Sequence, residues 1–415
     1  MISPALRARF PFLVDSGYAT LTAGSAALLL VLLTIAGRFL SADDYGRFSY
    51  AVALTTIVET IMDLGLSQVT VRSVARDKGS ADRLFPQVLG LKIMWVVIGL
   101  TVLAAVTPIL RSDPVVITLC YALGLSSAVR SYLLTTRGLL QGLQRFDLEA
   151  LVVVSDRVLL VIIGGAVLWA GYGVYGLAAA FVVSRLLMLG AVQILLRRVI
   201  TTVRPAFDRV MWRDIQSAAL PLGFFMITLN TYTYIDTVIL GLMRTDAEVG
   251  WYAASYRVYE GLTYAPSILA AVLTPRLSYL FTHDRPAHRA LLTRALVASL
   301  ALGVVLGGGA VAAARPIITI LFGSRYAAAA LPLQILAGGA LFVFATWILH
   351  AAAISTNLDR RLLVTTAVGL GANVALNIAL IPRYGINGAA AATVLAEALT
   401  VVLLLVQLER RLRAQ

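Results

Sequence analysis

Leu148-Glu-Ala-Leu-Val-Val-Val-Ser-Asp-Arg157 runs straight into Val158-Leu-Leu-Val-Ile-Ile-Gly-Gly-Ala-Val-Leu-Trp-Ala170, and Tyr172-Gly173-Val-Tyr-Gly176-Leu-Ala-Ala-Ala follows. Residues 148–170 are a predominantly apolar run of the length, about 20 residues, that a helix needs to cross the hydrocarbon core. A second run, 174–196, returns after a link of only a few residues. Glycine tolerates positive φ in so tight a reversal, and tyrosine suits the headgroup boundary. The stretch reads as a membrane hairpin. It also carries Asp156 and Arg157 inside its first run, where an ionisable group is costly and faces a wet cavity or a partner.

The same pattern extends over the whole chain. Further helices are expected near 17–38, 48–70, 86–107 and 115–136, then near 214–242, 250–275, 291–314, 327–353, 361–381 and 387–408. With 148–170 and 174–196 that makes twelve. Composition agrees: 60% of the 415 residues are hydrophobic and 13% charged, with a mean hydropathy of +0.87. Soluble domains run at roughly 45–50% apolar and about 25% charged. A soluble enzyme, a disordered chain and a secreted disulfide scaffold are therefore excluded. The single cysteine, Cys120, lies in an apolar stretch without an intramolecular partner. The first run is too long for a signal h-region and reads as a retained helix.

Orientation follows from the basic residues of the short loops. Twenty-two Lys and Arg fall on one side, among them Arg7, Arg9, Arg72, Arg76, Arg197, Arg198, Arg285 and Arg410, against seven on the other. Both termini are expected in the cytoplasm, and an even number of spans follows. The formal charge of +13 is ordinary positive-inside charge divided among many loops, so nucleic acid is not an expected partner. External loops are too short for a catalytic domain, and Walker, HExxH and cysteine or histidine clusters are missing from the sequence. No enzyme, cofactor or metal is expected. His283 and His288 read as incidental loop residues.

The two halves echo each other. Ser41-Ala-Asp-Asp-Tyr45-Gly46 recurs as Arg244-Thr-Asp-Ala-Glu-Val-Gly250-Trp-Tyr252, at an offset of 204 residues between Gly46 and Gly250. Tyr172-Gly173-Val-Tyr-Gly176 recurs as Tyr384-Gly385-Ile-Asn-Gly388, at an offset of 212. Six spans per copy is even, so the copies share one membrane orientation and a pseudo-twofold along the membrane normal, with a site between them. The expected division is 1–205 and 206–415, two lobes of six helices.

Tyr45-Gly46 through Asp63-Leu-Gly-Leu-Ser67 and Val71-Arg72-Ser-Val-Ala75-Arg76 resembles the polysaccharide transport (Wzx-type) flippases of the multidrug/oligosaccharidyl-lipid/polysaccharide exporter superfamily. Similar matches are Asp236-Thr-Val-Ile-Leu240-Gly241, Gly250-Trp-Tyr252-Ala-Ala-Ser-Tyr256-Arg257-x-x-Glu260, Pro275-Arg-Leu-Ser278 and Leu321-Phe322-Gly323 with Tyr326. The resemblance covers essentially the whole chain, though each motif is loose. It implies an all-α, MATE-like fold of two six-helix lobes around a central cavity. It also implies export of polyprenyl-pyrophosphate-linked oligosaccharide units across a bacterial or archaeal cytoplasmic (inner) membrane, for polysaccharide or O-antigen synthesis. A glycan polymerase and a chain-length regulator are the expected partner proteins.

Charges and amides at membrane depth supply the candidate site. Arg257, Arg157, Arg130 and Arg185 are candidates for the pyrophosphate, because guanidinium replaces lost hydration with bidentate, charge-assisted hydrogen bonds. Asn230, Tyr232, Tyr234, Asn373 and Asn377 are candidates for the sugar, with interhelical hydrogen bonding the alternative for the two helix-eleven asparagines. Glu59, Asp63, Asp236, Glu260 and Glu397 are expected to couple an ion or to pair with a base. Asp236 and Arg257 fall at similar depth and Arg257 shares a helix face with Glu260, so Arg257 is expected to engage the pyrophosphate alternately with these two acids, or to form a structural pair with either. Lys92 is expected to snorkel to the cytoplasm. Two alternatives stay open for the activity: a cation-coupled multidrug antiporter of the same superfamily, and a scaffold for glycan assembly without transport of its own.

Overall fold

The computed structural model describes residues 17–18, 21–22, 24–356 and 358–413; Arg7, Arg9 and the expected site of the N-terminus lie outside them. The described residues form helices α1 (Ala26–Phe39), α2 (Ala42–Asp63), α3 (Leu66–Arg76), α4 (Ala81–Leu110), α5 (Pro114–Gly142), α6 (Phe146–Trp169) and α7 (Gly173–Leu196). There follow α8 (Arg209–Met243), α9 (Asp246–His283), α10 (Arg285–Ala312), α11 (Ala314–Phe322), α12 (Ala330–Gly338), α13 (Ala340–Ser355), α14 (Asp359–Tyr384) and α15 (Ile386–Arg413). Among the described residues, seven helices are long and apolar enough to cross a membrane, or up to nine if each of two bent pairs is one span. Helices α8 and α9, with 35 and 38 residues, are long enough but interrupt their apolar runs with the acids, arginines and tyrosines discussed below.

Start signals are local. Asp113 caps α5 by accepting from the Val115 N–H, with Pro114 as first helical residue. Thr245 and Glu248 form a reciprocal capping box at the start of α9, which satisfies two of the orphan donors of a helix terminus. The duplicated links behave alike: Gly173 has φ +62° and Gly385 φ +57°, values that an L side chain strains to reach.

Two spans differ from the continuous helices expected. The 48–70 run is broken between α2 and α3, which are bent by 41°. Leu64 and Gly65 take positive φ there, 41° and 77°. A side chain on Gly65 would collide with the Ala219 carbonyl and the Gly223 amide, so α8 packs directly on the bare break. The 327–353 run is likewise bent, by 44°, at Gly338-Gly339 between α12 and α13.

Contacts group the chain into two compact units: Met1–Leu40 with Tyr50–Asn230, and Ser41–Ser49 with Thr231–Gln415. The first has a core around Leu66, Phe85, Leu91, Leu139 and Leu196. In the second, Leu349, Leu358 and Leu404 pack in one cluster, and Leu277 and Ile348 in another. Within the second unit the repeated glycines of the sequence meet. A Cβ on Gly46 would overlap the Asp246 carbonyl, and one on Gly250 would overlap the carbonyl of Ala42. Arg47 Nε donates to Asp246 at 3.0 Å beside this crossing, and Tyr45 packs on Phe322 and Tyr326.

Candidate functional site

In the first unit, helices α5, α6 and α7 bring four arginines to one pocket. Arg130 and Arg137 come from α5, Arg157 and Asp156 from α6, and Arg185 from α7. Spacing explains the convergence: Arg130 and Arg137 are seven apart and share a face of their helix. Arg130 donates to Glu59 of α2 at 3.0 Å. Arg137 holds Glu149 at 2.8 Å, and Arg185 pairs with Asp156. Arg157 makes no ion pair or hydrogen bond among the described residues. Its charged neighbours are the guanidinium groups of Arg130, Arg185 and Arg137 and the Asp156 carboxylate. The set carries four cations against three anions, and Arg157 is the surplus.

This pocket has about 30 Å³ of room for water. That accommodates a water or two and is too little for a diphosphate unless side chains swing aside. Two polar atoms mark it as unfinished: Asp156 Oδ1 and Arg185 Nε are buried without a hydrogen-bond partner. An arriving anion could take the guanidinium edges that now face carboxylates.

Lys92 does not snorkel. It is 2% exposed, donating to Asp63 at 2.5 Å and Ser131 at 3.0 Å. It also approaches the Met62 carbonyl at 3.4 Å, one of the acceptors freed where α2 breaks. A cation near a helix C-terminus is favourable, so the kink and the buried lysine support each other. Glu149 was not singled out from sequence because it sits at the polar start of an apolar run. It is 2% exposed and also accepts from Gln141 and Thr22.

The second unit treats its acids differently. Of the two pairings the sequence left open for Arg257, the one with Asp236 is not made. The Asp236 carboxylate accepts from the Thr237 amide at 2.6 Å, from the Tyr252 hydroxyl, and from Thr393 at 3.4 Å. Tyr252 is sixteen residues away on α9 and turns inward, which leaves Arg257 to its neighbour Glu260 at 2.5 Å. Glu397 accepts from Tyr232 at 3.0 Å and Thr346 at 2.9 Å. Neither Asp236 nor Glu397 meets a basic side chain among the described residues. Tyr252, Thr393 and Thr346 were missed as partners, though Tyr252 stands in a quoted motif.

The remaining sugar candidates separate. Asn373 and Asn377 are buried, and Asn377 donates to the Asn373 carbonyl and side-chain oxygens at 2.9 and 3.0 Å, within α14 rather than between helices. Asn230 donates to the Met226 carbonyl at 3.0 Å. Tyr232 is committed to Glu397, and Tyr234 is half-buried on α8.

Long apolar helices with charges arranged inside them define a multi-pass membrane protein. The chain belongs to the polysaccharide biosynthesis protein family, which it matches over residues 13–281. A probable low-salt glycan biosynthesis flippase of Haloferax volcanii, Agl15, is 27% identical over 173 residues, 41% of this chain and 37% of that protein. The chain thus spans little more than a third of the length of the curated relatives it matches. Among solved structures, the lipid II flippase MurJ in an inward closed conformation superposes with a TM-score of 0.79 at 16% identity, covering 96% of this chain and 87% of MurJ. An inward-facing multidrug resistance MATE family transporter superposes with a TM-score of 0.78 at 15% identity, covering 93% and 95%. At such identities the likeness concerns the fold.

Proposed function

We propose that this protein is a flippase moving polyprenyl-pyrophosphate-linked oligosaccharide from the cytoplasmic to the outer leaflet, for polysaccharide or O-antigen export. Its setting is a bacterial or archaeal inner membrane, with both termini in the cytoplasm as the loop charges indicate. The duplicated halves, 1–205 and 206–415, act as the two lobes of an alternating-access carrier, and a polymerase and chain-length regulator receive its product. The observation that carries this reading is the arginine pocket with its unpaired Arg157. A pyrophosphate cannot cross hydrocarbon with its hydration stripped and nothing in its place; guanidinium groups supply the replacement. Membership of the family and the flippase relatives support the same class of cargo. Arg257, with Glu260 as its resting partner, offers a second cationic contact.

Coupling is assigned to Asp236 and Glu397. A buried carboxylate without a base is expensive, so each is a place for a proton or monovalent cation during the cycle. The same two acids favour a second reading, the cation-coupled multidrug antiporter.

The test is flipping of a labelled polyprenyl-pyrophosphate sugar in reconstituted vesicles. Arg157→Ala should slow flipping about tenfold or more, the size of a lost charged hydrogen bond. Arg157→Lys should recover only part, because it keeps the charge but loses the planar fork. Wild-type flipping by Arg157→Ala removes the arginine pocket from the mechanism. Efflux of a cationic dye without any sugar-lipid flipping selects the antiporter.

A further inference from the structure

Helices α6 and α7 also enclose a groove on the far side of the arginine pocket. Its walls are Leu151 and Val152 of α6 with Met188, Ala191 and Ile194 of α7, and Arg198 stands at one end. It has about 300 Å³ of room, the lower end of the range for ligand sites. The lining is almost wholly apolar, and Leu151 and Ile194 are 51% and 63% exposed, so the groove opens outward on the helix pair. The small side chain of Ala191 leaves the groove open.

Val152 lines both spaces. The same two helices therefore present apolar surface to one side and guanidinium groups to the other, one side chain apart. Arg198, just past the end of α7, lines the groove, and Arg185, three residues before Met188 on α7, belongs to the arginine pocket beyond Val152. An apolar trough beside a surplus of positive charge fits one kind of molecule: a long hydrocarbon chain ending in an anionic head.

Resting on the flippase reading above, we propose that this groove seats the polyprenyl chain of the cargo while its diphosphate reaches the arginines beyond Val152. The chain stays against the outer face of α6 and α7, so only the polar head needs a path through the protein. The groove then selects chain length and the arginines select charge. An ordinary phospholipid satisfies neither requirement fully, having two chains and a single phosphate.

Binding to the full-length protein in nanodiscs tests this, with long-chain polyprenyl diphosphate and geranyl diphosphate as probes. Wild type should prefer the long chain by about tenfold or more. Ala191→Trp, which fills the groove, should abolish that preference while geranyl diphosphate binds as before. Ile194→Gln, at an exposed position, should reduce it and guards against misfolding of the first variant. Retention of the full preference in both variants overturns the groove. Displacement of the long-chain probe by equal amounts of polyprenol or phosphatidylglycerol also overturns it, marking a site for any chain. If neither diphosphate binds wild type, the flippase reading itself fails, an outcome distinct from loss of the groove alone.

Discussion

The two units handle buried acid in opposite ways. In the first, Glu59, Asp63, Glu149 and Asp156 are all buried, and each holds a lysine or arginine. In the second, the buried acids Asp236 and Glu397 hold hydroxyl groups instead. A paired carboxylate is neutral as a unit and fixes the basic group it serves. A carboxylate among hydroxyls is solvated but not neutralised, and it stays open to a cation from outside. The first arrangement suits holding an anionic ligand by exchange, the second suits taking up a coupling ion.

The comparison predicts its largest effect at the Lys92–Asp63 pair. Lys92→Met strands a buried charge and should cost about 3–5 kcal/mol, whereas Lys92→Met with Asp63→Leu should restore most of it. Thermal unfolding in detergent measures both, and a single variant as stable as wild type would show that the pair is not what holds the kinked span.

A smaller change in stability is expected in the second unit. Asp236→Asn preserves the size of the side chain and most of its hydrogen bonding, so it should shift stability by only about 1 kcal/mol. It should nevertheless abolish the dependence of transport on an imposed proton or sodium gradient. If Asp236→Asn unfolds as readily as Lys92→Met, the distinction between the two kinds of acid disappears.

The smallest effect belongs to Arg47 and Asp246 beside the Gly46–Gly250 crossing. Their side chains are 30% and 12% exposed, and exposed pairs contribute about 0.2–1 kcal/mol. A double-mutant cycle with Arg47→Ala and Asp246→Ala should return a coupling in that range. A coupling of several kcal/mol would make the ion pair, rather than the glycine contact, the main tie between α2 and α9.

Much of this was legible in the residues. Most of the twelve apolar runs fall on one long helix each, because hydrophobic length reports the solvent in which a segment must sit. Those at 48–70 and 327–353 fall on bent pairs of helices, and the first lies partly outside the described residues. Gly173 and Gly385 take the positive φ that their turns require, and Gly46 and Gly250 touch as members of one repeat. The breaks at Gly65 and Gly339 were not legible, since an apolar run of adequate length looks the same straight or bent.

Partnership was the other thing hidden. Depth along a helix is a sum of rises and can be read from spacing, which puts Asp236 and Arg257 at similar depth. Depth says nothing about which way a side chain turns or which helix abuts it. Asp236 faces Tyr252 and Thr393, Arg257 faces Glu260, and Lys92 turns inward to Asp63. The sequence by itself determined that this is a helical membrane protein, where its apolar runs lie and which charges interrupt them. Only the tertiary structure decided which charges cancel and which stay open, because Coulomb energy depends on distance and burial, and packing sets both.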